Sequence, residues 1–431
     1  MRDNEILSRI NALVSEEHEL RGRLAAGEVT TDEENARVKE LEVALDQCWD
    51  LLRQRRARRG VGEDPDNAAP ARPVRSRTTS SRTPRPTAGK PVAGAGGVGL
   101  PGQMDIQRID LDRPGDLLAG LHDAHLEAFA HLQGPRMSLP DFTRMVSRGL
   151  PGDLLEAWAV VEDGVVVAGY GLELPMSDNT HLGELRPLVV RPERRRRGLG
   201  TALLAHAADR LRSAGRRLLV AEGETKDPAA GFARARGFTA SLGEARRMLD
   251  LRTADWHRLE RMLGEAEARA GGYRLERWIG AAPPELHDDL VLMMEGMNDA
   301  PQSDDVDDMK WDTSRIAASE ALDSEFAQLT YSMLARRDSD GAPAGYTRVY
   351  VDLAQPDGWG RQADTVVLRE HRGHRLGMVL KVSNLLWFRE MEPDVERIIT
   401  WNATSNAHML AINEAMGFEL IDEWNAWHLD V

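Results

Sequence analysis

The sequence predicts a mixed α/β (α+β) chain in which one domain occurs twice, preceded by an α-helical hairpin and a disordered linker. Three observations carry this reading. Residues 104–431 alternate strand-like and helix-like segments. Within them a strand, an Arg/Gly turn and a helix recur as a unit: Arg195 and Arg372 stand 177 residues apart, and Gly237 and Gly417 stand 180 apart. Two landmarks at nearly one offset indicate a duplication. Upstream, residues 63–103 are dominated by Pro, Gly, Ala, Ser and Thr, with no acid from Asn67 to Gln103. The boundaries read as 1–62 for the hairpin, 63–103 for the linker, and 104–252 and 253–431 for the two copies.

Composition narrows the class. With 42% hydrophobic and 29% charged residues, the 431-residue chain has an ordinary globular balance. Fifty-five basic against 70 acidic residues leave a net charge of −15, which argues against a nucleic-acid binder. No apolar run reaches membrane-span length, and Met1–Glu5 is too charged for a secretory leader, so a cytoplasmic protein without membrane partners is expected. The single cysteine, Cys48, forbids an internal disulfide and a cysteine-rich zinc site. Lysine occurs only at 39, 90, 226, 310 and 381. That arginine bias reads as a high-GC bacterial genome and lowers the functional weight of any Arg cluster.

The hairpin rests on helical spacing. Ile6, Ile10, Leu13, Leu20 and Leu24 form one apolar stripe; Gly27 ends it; Thr31 and Glu34 make a capping box; Val38, Leu41, Leu45, Cys48, Trp49 and Leu52 form the next. Two helices alone bury little, so pairing with a second hairpin as a homodimer through residues 1–60 is expected, with Cys48 packed in the seam. The stretches Asp3–Leu24 and Leu45–Arg56 resemble the actinobacterial DUF2630 family, which implies no chemistry. In the linker, Gly94-Ala95-Gly96-Gly97-Val98-Gly99 matches a dinucleotide fingerprint, but Pro91 before it and Pro101-Gly102 after it deny it the required strand and helix.

The first copy runs from the strand Leu188–Val190 through Arg195-Arg196-Arg197-Gly198-Leu199-Gly200 into the helix Thr201–Ser213. The strand Leu218–Ala221 follows, then a helix ending at Gly237-Phe238. The second copy runs from Thr365–Leu368 through Arg372-Gly373-His374-Arg375-Leu376-Gly377 into a helix, then the strand Ile398–Trp401 and a helix ending at Gly417-Phe418. A strand, an Arg/Gly turn and an immediate helix make an anion site, because backbone N–H groups and the helix dipole converge there. The turn lacks the Gly-Lys-Ser/Thr of a P-loop, so a diphosphate held without metal fits, and coenzyme A is such a ligand.

These turns resemble the Gcn5-related N-acetyltransferase (GNAT) superfamily, whose Q/R-x-x-G-x-G/A motif is matched by Arg195, Gly198 and Gly200. Its later signature is echoed at both helix ends, with Asn406 eleven residues before Gly417. The resemblance spans both copies. It implies two domains with splayed, mostly antiparallel sheets, acetyl-CoA as acyl donor, no metal, and transfer to a primary amine of a small molecule. It places the cofactor on Val190, Arg195, Arg196, Arg197, Gly198 and Gly200, and on Val367, Arg372, Gly373, His374, Arg375, Gly377 and Asn406. Glu184 and Asp364 are candidate bases, Glu222 and Asp299 alternatives, and Asn406 a further candidate catalytic residue.

The copies depart from the family pattern. Lys226 and Ala233 stand at the first copy's Asn and Tyr positions, and Arg375 and Asn413 replace the second copy's middle glycine and Tyr. Because the second copy keeps Asn406, it is expected to be the active one. Tyr346 and Tyr350 alternate on a strand as packing residues. His371 and His374 sit in the second turn without a third metal ligand. The absent tyrosines keep a rival reading open, a non-catalytic acyl-CoA sensor or interaction protein with one or both copies inactive.

Overall fold

The structure, a computed structural model, describes residues 105–150 and 152–431, together with the isolated positions Arg9, Arg37 and Leu51. The expected hairpin, linker, Cys48 seam and Gly94–Gly99 run lie outside the described residues. Residues 1–105 and 106–431 divide into separate units, and the second unit carries both copies.

In the first copy, β1 (Ile106–Ile109), α1 (Gly115–Ala128) and α2 (Leu139–Ser147) precede the strands β2 (Leu154–Glu162), β3 (Val165–Leu174) and β4 (Leu182–Val190). Next come α3 (Leu199–Ser213), β5 (Leu218–Glu224), α4 (Ala229–Ala235) and β6 (Thr239–Asp250). The second copy begins with α5 (Trp256–Glu267), β7 (Tyr273–Ile279), α6 (His287–Gly296) and α7 (Thr313–Glu325). It continues with β8 (Gln328–Arg337), β9 (Pro343–Asp352), β10 (Trp359–Val367), α8 (Leu376–Met391), β11 (Arg397–Ala403), α9 (Ala407–Met416) and β12 (Glu419–Asp430).

Local chemistry sets many of these boundaries. Ser138 Oγ accepts the Asp141 N–H at 3.1 Å, opening α2. Asp255 and Asp312 cap α5 and α7 in the same way. The β2–β3 hairpin turns on Asp163 and Gly164, both at positive φ, which suits the twist of the paired strands.

The described strands form one sheet in the order β1-β2-β3-β4-β5-β12-β6-β11-β10-β9-β8-β7. The final strands are exchanged: β12 lies against β5 of the first copy, and β6 lies against β11 of the second. They also pair with each other, which joins the two halves. Parallel pairing occurs at β4–β5 and β10–β11, and every other pair is antiparallel. Each parallel pair lasts four residues, ending at Leu185↔Ala221 and Gln362↔Thr400, after which the strands separate. A register shift against β3 accompanies the first split. There a Cβ on Gly171 would sit 2.1 Å from the Arg186 carbonyl oxygen, so only glycine fits the close backbone approach. One core cluster packs Leu118, Leu121, Phe142 and Val166, and its counterpart packs Trp278, Leu290, Ile316 and Tyr346.

Candidate active site

The two anion turns share one backbone and place their glycines differently. In the first, Arg196 (φ 63°) and Gly198 (φ 88°) are left-handed; in the second, Gly373 (φ 88°) and Arg375 (φ 60°) are. Each copy thus sets glycine at one left-handed position and arginine at the other, and Arg375 leaves the turn's shape intact. Gly200 and Gly377 then let the helix approach the sheet: an added Cβ would meet Phe232 and Ile412, each at 3.3 Å. Arg196, Arg197, His374 and Arg375 are exposed around the two helix N-termini.

The shared geometry extends to backbone groups. Arg191 donates its N–H to Val167 and Leu368 to Ala344, so strand alternation directs the Val190 and Val367 N–H groups into the β4–β5 and β10–β11 gaps. Arg195 Nε bonds the Val190 carbonyl at 3.2 Å, and Arg372 Nε the Val367 carbonyl at 3.0 Å. The turns diverge in charge. Arg195 contacts backbone carbonyls, its Nη2 bonding Ala128 O at 3.2 Å. Arg372 pairs with Asp299 at 2.8 Å, and Arg369 closes on the same carboxylate. Those pairs hold Asp299 below the usual carboxylate range, as a charged counterion rather than a base.

In the first copy the strand split opens into a cavity of about 640 Å³ that runs through the sheet. On the α3–α4 side it is lined by Leu204, Gly223, Ala233 and Phe238; on the other side lie Phe129, Gln133, Arg246, Trp401 and Trp424. Glu184, Arg186 and Glu222 line the passage between them. Arg186 holds Glu184 and Glu173, each at 2.6 Å. Burial pushes the Glu173 carboxyl up to about 7 against the pull of Arg186. Glu222 is open to cavity solvent but crowded by protein. Loss of hydration raises its carboxyl to about 7, Glu244 and Glu184 add to the rise, and Arg186 opposes it.

Equivalent positions in the second copy are bulkier. Counting from matched landmarks, Lys381 stands for Leu204, Asn402 for Gly223, Asn413 for Ala233 and Trp401 for Glu222. Asn413 is fully buried and donates to Asn402 at 2.6 Å. Lys381 is 1% exposed, its ammonium 5.6 Å from the Phe418 ring centre. The expectation that favoured the second copy rested on Asn406, and the open volume lies in the first. The first copy has the open passage, and the second fills the matching positions with amide and ammonium side chains.

The structure places the remaining sequence candidates as follows. Asp364 is held by Arg348 Nε at 2.7 Å, away from the β4–β5 passage. Asn406 caps α9, accepting the Met409 N–H at 3.2 Å. His371 is buried against the Tyr273 hydroxyl at 3.0 Å, and His374 lies beside the same ring. Tyr346 and Tyr350 are pushed up to about 12 by burial, and Tyr346 stacks on Trp278. Among the described residues no cluster of three or more His, Cys, Asp or Glu side chains could hold a metal ion, and no helix is long and apolar enough to cross a membrane.

Sequence reasoning did not identify Arg186, Arg246 or Trp424 as cavity residues, nor Asp422 and Glu244, which act on Arg246 and Glu222. Their only signal was alternation along β4, β6 and β12, and it becomes informative once the strand order is known.

Comparison with known proteins agrees with this architecture. The family model for the protein of unknown function DUF2630 matches residues 2–76, and that for the acetyltransferase (GNAT) family matches residues 122–238. Uncharacterized proteins of Mycobacterium tuberculosis and Mycobacterium bovis are 50% identical over 66 residues, covering 15% of this chain and 76% of theirs. A tandem GNAT protein from the clavulanic acid biosynthesis pathway is 30% identical, with a TM-score of 0.64 over 76% of this chain and 98% of its own. A GCN5-related N-acetyltransferase from Sphaerobacter thermophilus shares the fold at 14% identity, TM-score 0.52, over 77% of this chain and 97% of its own. With its duplicated turns, splayed strands and a relative matched almost end to end, the chain belongs to the tandem GNAT acetyltransferases and carries a DUF2630 segment at its N-terminus.

Proposed function

We propose that the protein is an acetyl-CoA-dependent N-acetyltransferase acting on a primary amine of a small molecule, with the first copy as its catalytic centre. The carrying observation is Glu222, a carboxyl pushed up to about 7 inside an open passage, where the second copy has Trp401. The first copy also suits the cosubstrate. The α3 N-terminus is open, nothing lies within 4 Å of a Cβ built on Gly198, and Arg195 has no carboxylate partner among the described residues. These residues would hold the diphosphate, and the passage would take the pantetheine arm.

Acetyl-CoA supplies a thioester carbonyl. The Val190 N–H, directed into the gap, polarises the carbonyl oxygen. Glu222 accepts the proton that the ammonium must lose before its nitrogen can form the N–C bond, with Glu184 alongside as an alternative base. Breaking the C–S bond releases a thiolate, which takes a proton to leave as thiol. Ala233 offers no hydroxyl for that step, so water in the open cavity supplies it. The second copy is read as a structural copy, its turn arginine neutralised by Asp299.

The test is titration of the full chain with acetyl-CoA, together with thiol release in the presence of amines. Arg195→Ala is expected to weaken binding and turnover more than Arg372→Ala. The reverse order would move the site to the second copy, and no binding to either would leave only the interaction-protein reading.

A further inference from the structure

The exchange of final strands gives the first copy's cavity a far wall that belongs to the second copy. Trp401 comes from β11 and Trp424 from β12, while Arg246 comes from the first copy's own β6. Arg246 is fixed by ion pairing with Asp422 and by a 3.1 Å hydrogen bond from its Nη2 to the Gln133 carbonyl. Its guanidinium lies 5.5 Å from the Trp401 ring centre and 5.3 Å from that of Trp424. The two indoles meet edge to face at 5.1 Å, and Trp424 stacks on Phe129. Together with a side-chain hydrogen bond to Glu244, this network fixes Trp401, which stays 38% exposed in the cavity lining.

Trp401 and Glu222 line the same cavity and, by strand register, lie on one face of the sheet. Between β5 and β11 lie β12 and β6, three strand spacings or roughly 14 Å across the sheet, and along β12 Trp401 is level with Asp422 and Glu222 with Ala426, four residues on. An acceptor reaching both must be elongated, with an amine at one end and a stackable group at the other. We propose that the acceptor is a primary amine on an extended tail that ends in a flat ring, the ring resting on Trp401. A fixed aromatic face favours such a ring over a flexible chain, because stacking adds to apolar burial and little side-chain freedom is lost. The proposal rests on the first copy being the transferase centre, and its test separates the two.

The test compares n-hexylamine with 6-phenylhexylamine as acceptors for the full chain, by thiol release with acetyl-CoA. Wild type is expected to prefer the phenyl amine about tenfold in kcat/KM, through a lower KM. Trp401→Ala should erase that preference, and Trp401→Phe, which keeps a ring and the fold, should retain most of it. Calorimetric titration with 6-phenylhexylamine should show the same order of affinities. Thiol release with no preference between the amines, or a preference that survives Trp401→Ala, overturns the ring subsite and leaves the transferase standing. Absence of thiol release with every amine overturns the transferase reading and this one with it.

Discussion

Replacing Lys381 with methionine removes a charge from the interior of the second copy and keeps an unbranched side chain of similar length. The α8 helix places this lysine where the first copy has Leu204, at 1% exposure and over the Phe418 ring. Burial alone lowers its ammonium from 10.5 to about 7. The gap of about 3.5, at about 1.4 kcal/mol per pH unit, sets an upper bound of about 5 kcal/mol on the cost of keeping lysine there. Relaxation around the amine brings the expected gain of Lys381→Met to about 2–4 kcal/mol. The sign follows from proton binding. The unfolded chain holds its proton up to 10.5 and the folded chain only to about 7, so the cost is full below pH 7, shrinks between 7 and 10.5, and vanishes above. Urea unfolding at pH 6, 8 and 10 reads this directly. Methionine should raise the midpoint most at pH 6, less at pH 8 and least at pH 10. A destabilised variant at pH 6, or the same gain at all three pH values, would refute the assignment of Lys381 as a buried amine without an ion partner.

Two further outcomes follow from the first copy. Glu222→Gln should lower turnover on the order of 100-fold or more and remove the limb of the pH–rate profile that rises through about 7, since a base works only when ionised. A raised carboxyl pKa weakens the fold as pH climbs from the unfolded value toward 7. The glutamine variant should therefore gain stability over wild type at pH 8 and none at pH 4, and an unchanged rate profile would sink the role. Gly198→Ala should cost about 1 kcal/mol, seen as a lower unfolding midpoint, because φ is 88° and no atom lies within 4 Å of the new Cβ. A cost of several kcal/mol would mean that sterics, and not backbone strain, set that position.

How much the sequence determined by itself can be seen in the anion turns. Arg195–Gly200 and Arg372–Gly377 are legible because a strand, a left-handed turn and a helix start are dictated by neighbours a few residues apart. The duplication is legible because both landmarks recur at one offset. The resemblance to GNAT proteins follows from those local signals, and the tandem relative matches over 76% of the chain. The tertiary structure decided what depends on residues hundreds of positions apart. β6 and β12 end their copies with the same alternating pattern, so hydrophobic periodicity does not distinguish pairing within a copy from exchange between copies. Only the assembled sheet puts Trp401 and Trp424 in the wall of the cavity that Glu184 and Glu222 line. The asymmetry between copies has the same origin. Asn406 reads as a functional match in sequence, but its oxygen caps α9. Lys381 reads as an ordinary helix residue until packing shows that it fills the place where Leu204 leaves a passage open. Side-chain identity is local, whereas free volume and solvation belong to the whole fold, and those two quantities set the first copy apart from the second.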